Sequence, residues 1–247
     1  MEKNMKDILK DLVAHTQALG FIELVKITGT DESTTIDGMA ENRSVIVQGE
    51  TKAAQKEFKG TFGMPNLNKL DLHLKNPEYK ENAKIDIVWD VRNGENQPVS
   101  INFENAAGDF KNEYKLMGTN LINEKLKAVK FKGANWQVEF QPSVTSIARM
   151  KLQSAAHSEE TIFLLKTEGT DLKVYFGDAN THEGNFVLQA GITGKLRQNW
   201  TYPVQQFISI LNLDGDKTVK ISDDGVVLIN VDSGLAIYNY YIPAKTK

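Results

Sequence analysis

Cysteine is absent from all 247 residues. That excludes a disulfide framework, a Cys-ligated zinc, an iron–sulfur cluster and a thiol nucleophile, which removes several enzyme classes together. Long apolar runs are missing too, the longest stretches, such as Gly225 to Ile229, falling far short of the roughly 20 residues that span a membrane as a helix. The opening MEKNMKDILK interleaves charges with apolar side chains and has no apolar core, so it does not read as a signal peptide. Without secretion, the Asn-x-Ser/Thr triplets at Asn42 and Asn199 are not expected to carry glycans. A strong charge of one sign is also lacking. The 29 basic and 32 acidic residues leave −3, which by itself gives no reason to expect a polyanionic partner.

Recognisable chemistry is equally scarce. There is no GxGxxG, no GxxxxGK[ST] and no GxSxG. His15, His73, His157 and His182 have no metal-ligand spacing and read as satisfied or solvent-facing side chains. Asp214-Gly215-Asp216 and Asp223-Asp224-Gly225 look like calcium loops but lack the Gly and Glu that an EF-hand places sixth and twelfth; both fall where hairpin turns are expected. Asp86 and Asp90 share one face of a strand and read as solvated. No catalytic residue, metal or cofactor is therefore expected, and the chain does not read as an enzyme.

What the chain does contain is an ordinary globular balance, 40% hydrophobic and 25% charged with a mean hydropathy of −0.37, arranged as one plan used twice. Apolar residues at helical spacing run from Met5 to Leu19, with Gly20 as a candidate stop. Strand-like stretches follow at Phe21–Thr28, Thr34–Met39, Ser44–Gln48 and Glu57–Thr61; a short helix is expected over Pro65–Leu74, with Pro65 in its first turn; three more strands read at Lys84–Val91, Pro98–Glu104 and Phe110–Leu116. The second half repeats this order at an offset of 138: Phe163 answers Val25, Trp200 answers Phe62, Pro203 answers Pro65 and Ile208 answers Leu70. Its helix is expected over Ser146–His157, its strands at Thr161–Thr167, Lys173–Phe176 and Asn185–Ala190, and its short helix over Pro203–Leu211. Toward the end, Ile101-Asn102-Phe103 answers Ile229-Asn230-Val231 at a shifted register. A repeat this long points to two similar domains, not a solenoid. The expected division is a first domain over 1–118, a lysine-rich connector over 119–135 and a second domain over 136–247.

Charge is unevenly placed on this plan. The segments Lys3–Leu19, Pro65–Asn76, Ser143–His157 and Gly191–Asn199 together carry +6, which leaves −9 for the remainder. If these segments share a face, that face attracts phosphates without reading sequence.

The order of elements, the central connector and above all the ending GLAIYNYYIPA, Gly234 to Ala244, resemble the DNA sliding clamps, in particular the two-domain trimeric clamps of tailed phages, archaea and eukaryotes. The resemblance implies an α+β DNA-clamp fold: two duplicated domains, each with antiparallel sheets outside and two helices on the inner face. It implies a homotrimeric ring that encircles duplex DNA and gives the replicative polymerase processivity. Lys6, Lys10, Lys69, Lys75, Arg149, Lys151, Lys195 and Arg197 would face the DNA. Tails of the polymerase and of the clamp loader would dock on Leu121, Ile122 and Leu126 of the connector and on Tyr241, Ile242, Pro243 and Ala244 of the tail. The missing signal peptide and the short apolar runs point to the cytoplasm, the host's if the protein is viral, and no membrane partner is expected. The competing expectation is a β-rich structural protein of a virion, a tail or decoration component.

Overall fold

A computed structural model describes residues 5–92, 94–127, 131 and 133–245. The chain forms two compact units, one of Met1–Lys130 with Ser233–Tyr238 and one of Phe131–Asp232 with Asn239–Lys247.

Unit 1 opens with α1, Met5–His15, which buries Ile8, Leu9, Leu12 and Val13 along one stripe. The expected helix to Leu19 stops four residues early. Thr16 leaves helical geometry at φ −131° and donates its hydroxyl to the Leu12 carbonyl at 2.6 Å, satisfying an acceptor that another turn would have used. A 3-10 turn over Gln17–Leu19 then ends at Gly20, whose φ of 80° suits glycine. Strands β1 (Leu24–Gly29), β2 (Thr34–Met39), β3 (Ile46–Thr51) and β4 (Gly60–Pro65) follow, and their side chains alternate toward the core. They pair antiparallel in the order β4-β1-β2-β3. Helix α2 (Leu67–Lys75) packs on α1, and β5 (Lys84–Arg92), β6 (Glu95–Glu104) and β7 (Lys111–Lys115) make a second antiparallel sheet in that order. Helix α3 (Thr119–Lys125) lies on β4, stitched there by the paired backbones of Gly63 and Met117 and by the Thr119 hydroxyl, which donates to the Thr61 carbonyl at 2.6 Å.

Unit 2 contains β8 (Trp136–Phe140), α4 (Val144–Ala156), β9 (Ile162–Glu168), β10 (Asp171–Phe176), β11 (Gly184–Gln189), β12 (Trp200–Pro203), α5 (Val204–Leu211), β13 (Asp216–Ser222) and β14 (Val226–Asp232). The last strand, β15 (Ala236–Pro243), begins in unit 1 and ends in unit 2. One sheet here runs β12-β9-β10-β11, and the other runs β8-β13-β14-β15.

The 138-residue offset survives at the level of register. Val25 faces Met64 and Ile27 faces Phe62; 138 residues on, Phe163 faces Tyr202 and Leu165 faces Trp200. Strand β3 maps residue for residue onto β11. Two expectations are corrected. The strand expected over Glu57–Thr61 is a 3-10 turn, Lys56–Phe58, before β4 begins at Gly60. Pro65 and Pro203 end strands, paired with Leu24 and Ile162, instead of opening helices. In both cases the chain is still held by the neighbouring strand's approach: Leu67 N–H donates to the Glu23 carbonyl at 3.2 Å and Val204 N–H to the Thr161 carbonyl at 3.0 Å. Strands β8 and β12, five and four residues long, went unread in the sequence.

Candidate functional site

The basic side chains divide by what surrounds them. Lys10 of α1, Lys69 and Lys75 of α2, and Arg149 and Lys151 of α4 are exposed. Lys6 is not available in the same way. Its ammonium donates to the carbonyls of Tyr79 and Lys80, tying α1 to the turn after α2, and burial together with nearby Lys10 pushes its pKa down. Two helix carboxylates are withdrawn as well. Asp11 has a side chain only 10% exposed and accepts hydrogen bonds from Ser233 Oγ at 3.0 Å and Tyr238 OH at 2.8 Å. Asp71 is paired with Lys75 at 2.5 Å. In unit 2 the segments Val144–Ala156 and Val204–Leu211 contain no carboxylate, so the exposed charge of α4 and α5 is that of Arg149 and Lys151 alone. Lys195 and Arg197 sit on the exposed loop between β11 and β12. That loop's hydrogen bonds run to Thr167, Thr170 and Asp223 and, among the described residues, none runs to α4 or α5.

A second surface lies where α3 ends. Lys125 and Leu126 form one wall of an open groove of about 810 Å³ whose other walls are Gly20–Leu24 and the turn Met39–Arg43. Phe21, Leu24, Met39 and Leu126 are half-buried there and supply its apolar part, while Glu23, Glu41, Arg43 and Lys125 line it as exposed charges of both signs. Arg43 holds a φ of 56°, and Asn42 Oδ1 accepts from Ser44 N–H at 3.0 Å to fix the turn. Of the expected docking residues in this unit, Leu126 lines the groove, Leu121 is 48% exposed outside its lining, and Ile122 is fully buried against Gly63. Phe21, Leu24 and Met39–Arg43 went unread because they are about 85 to 105 residues away in sequence and nothing local marks them.

In unit 2, Tyr241 is half-buried with its ring stacked on Phe131 at 4.4 Å, and burial raises its pKa. Ile242 is fully buried, Pro243 exposed, and Ala244 half-buried with its N–H donating to the Gly225 carbonyl at 2.8 Å. The burial of Ile122 and Ile242 has one physical reason: each is the inward residue of an amphipathic element whose outward neighbours, Leu121 and Tyr241, carry the accessible surface.

Elsewhere the titratable side chains serve structure. Glu168 takes hydrogen bonds from Lys166, Lys173 and Tyr175, which hold its carboxyl down to about 2. His73 stacks on Phe103 at 5.1 Å, and burial with neighbouring Lys69 lowers its pKa. Among the described residues no group of His, Asp or Glu is arranged to hold a metal ion, and no helix is long and apolar enough to cross a membrane.

No protein-family model matches the chain, and no curated protein matches it. Solved structures do. A structure of PCNA from A. fulgidus bound to the C-terminal region of FEN-1 superposes with a TM-score of 0.68 at 10% identity, covering 98% of this chain and 95% of that one. PCNA from Entamoeba histolytica gives a TM-score of 0.64 at 12% identity, covering 98% and 94%. Likeness at this identity establishes the fold: the chain is α+β, built as the PCNA clamps are built, over nearly its whole length.

Proposed function

We propose that this protein is a sliding clamp, a ring-shaped homotrimer that encircles duplex DNA and tethers the replicative polymerase. The observation that carries this reading is the clamp fold over 98% of the chain, combined with the exposed cations of the helices: α4 and α5 contain no carboxylate, Asp71 of α2 is paired with Lys75, and on α1 Asp11 is internal while Asp7 remains exposed beside Lys10. Lys10, Lys69, Lys75, Arg149 and Lys151, with Lys195 and Arg197 on their loop, make interchangeable phosphate contacts that leave the ring free to move. Lys6 is left out of this set because carbonyls hold its ammonium.

The sheet edges support ring closure. The edge of β3 is covered within unit 1 by the start of β15, where Lys52 N–H donates to the Leu235 carbonyl at 2.9 Å. By the internal repeat, β11 holds the place of β3 and β7 the place of β15, and both end their sheets among the described residues. Pairing β7 of one copy with β11 of the next covers both edges by a head-to-tail contact that closes into a ring. The groove of Leu126, Met39 and Phe21 in unit 1 receives tails of the polymerase and the clamp loader by burying a few apolar anchors, and Tyr241, Pro243 and Ala244 of unit 2 are further docking residues of the proposal. Other DNA-processing partners are proposed as well, since the A. fulgidus PCNA is bound to the C-terminal region of FEN-1.

Light scattering combined with polymerase assays tests this. The native protein should have the mass of three chains. The double variant Arg149→Glu, Lys151→Glu should keep that mass and lose stimulation of its polymerase by at least about tenfold, since each reversed charge replaces a phosphate attraction by repulsion. A monomer at micromolar concentration, or unchanged stimulation by the double variant, overturns the reading. Assembly into particles without any effect on a polymerase would favour the virion protein.

A further inference from the structure

Unit 1 contains a junction between distant strands, that of β3 with the start of β15. Lys52 N–H donates to the Leu235 carbonyl, and three residues back along β3 Gly49 meets Tyr238, three residues forward along β15, as an antiparallel ladder requires. An added Cβ on Gly49 would stand 3.0 Å from the Tyr238 ring, which is fully buried and stacked on His15. A large side chain of one strand fills the space left by a glycine of the other. At β11 and β7 the sizes are inverted. Strand β11 matches β3 in its bounds, but a bulge between Leu172 and Lys173 moves its facing by one residue, so that Phe186 faces Val174 as Gly49 faces Ile36, the residue that Val174 answers in the repeat. On β7, Tyr114 faces Ile101 and Asn112 faces Phe103. On β15, Asn239 accepts from Asn230 Nδ2 at 2.9 Å, which places Tyr240 against Ile229 and makes Tyr238 the counterpart of Asn112. The glycine's place thus holds a phenylalanine, and the tyrosine's place an asparagine. Phe186 shares the core face of β11 with Leu188, which is buried, and with Gly184, which lies against His157 of α4; yet Phe186 itself is only half-buried. Asn112 is half-buried too, its amide drawn to the Tyr79 hydroxyl at 2.7 Å.

We propose that Phe186 of one copy and Asn112 of the next form a size-matched pair across the junction between copies and determine which strands join there. The proposal rests on the ring reading, whose β7–β11 contact it supplies with a register: Phe186 opposite Asn112, Leu188 opposite Phe110 and Gly184 opposite Tyr114. In that register the ring of Phe186 lies over a short side chain, and Phe110, 39% exposed and resting on Tyr79, gains Leu188 as a cover. The inversion keeps the two kinds of junction from exchanging. Seating β15 on β11 sets Tyr238 against Phe186 and overfills the position; seating β7 on β3 sets Asn112 against Gly49 and leaves a void. A two-residue slip of β7 along β11 is penalised in the same way, since it sets Phe186 against Phe110 or Tyr114. A chain whose halves share one plan needs such a difference, because otherwise either edge accepts either strand.

Light scattering over a dilution series of the full chain tests the pair. Asn112→Tyr, which sets a second large ring against Phe186, should raise the concentration at which the trimer dissociates at least about thirtyfold, and Phe186→Gly, which leaves the place empty, at least about tenfold. Combined, the two substitutions rebuild the match of Gly49 with Tyr238, and the midpoint should return to within about threefold of the native value. Asn112→Ala, which loses the Tyr79 hydrogen bond without adding bulk, should move the midpoint less than about threefold. Melting curves of every variant check that the chains are folded. A native protein that is monomeric throughout overturns the ring reading and the pair with it. A native trimer whose single variants dissociate no more readily overturns the pair alone and leaves the ring standing. So does a folded double variant that dissociates as readily as the single variants.

Discussion

Val219 and Ile221 of unit 2 are completely buried beneath β8, whereas Ile87 and Trp89, which stand at the equivalent positions of β5 in unit 1, are half-buried. The two units share their strand order and much of their register, so the difference is not one of fold. It comes from a single strand. Where β8 is present, the neighbouring loop must approach it at a glycine, Gly194; in unit 1 the same position carries Lys56, whose side chain is exposed. Packing one strand into the plan thus dictates a residue type on a loop about 55 residues away.

The sharpest way to break this contrast is Gly194→Val. A β-branched side chain cannot coexist with the Gln137 carbonyl, so β8 should be displaced and the outer edge of β13 uncovered. The expected loss is at least about 3 kcal/mol, in the range of severe overpacking against backbone. Denaturant unfolding should show unit 2 melting earlier while unit 1 holds, and amide exchange over 216–222 should rise; Lys56→Val at the matching position should be nearly silent. A smaller effect tests what unit 1 has that unit 2 lacks, its borrowed segment Ser233–Tyr238. Asp11→Ala removes one acceptor from each of the Tyr238 and Ser233 hydroxyls and should cost about 1 kcal/mol, the range for a lost hydrogen bond, since Ser233 keeps the Ala236 carbonyl, with the loss confined to the unit 1 transition. The smallest effect concerns Tyr202. It occupies the place of Met64, and its hydroxyl is buried with no hydrogen-bond partner, so that desolvation drives the phenol's pKa well above the ordinary tyrosine value. Tyr202→Phe should leave stability unchanged or raise it by up to about 1 kcal/mol, since nothing is lost and an unsatisfied group is removed. A destabilised Tyr202→Phe would show that the hydroxyl has a partner after all.

Much of the architecture was legible because it rests on periodicity. The apolar stripe of α1, the alternation of β1 to β3 and the matching of Phe163 to Val25 are local patterns, and they are conserved between the halves as register. Errors cluster where a local signal had two readings. Pro65 is compatible with a first helical turn and with a strand end, and only its pairing with Leu24 decides between them. Thr16 continues the helical pattern of apolar spacing, yet its hydroxyl takes the Leu12 carbonyl and ends the helix. The candidate surfaces were legible in part. The basic charge on the helices could be summed from the sequence, but the withdrawal of Lys6 and Asp11 could not, because the groups that engage them, at Tyr79 and Tyr238, are far along the chain. Likewise Leu126 was read as a docking residue, while the opposite wall at Met39–Arg43 gave no sign.

The sequence by itself determined the repeated plan and the charged residues that each helix carries, since each is a property of residue type and short-range spacing. The tertiary structure decided which of those residues are accessible. It placed Ile122 and Ile242 inside, left Arg149 and Lys151 outside, and covered β13 with β8. Accessibility depends on which distant segments pack against a residue, and that is set by the folded chain as a whole rather than by the spacing around the residue.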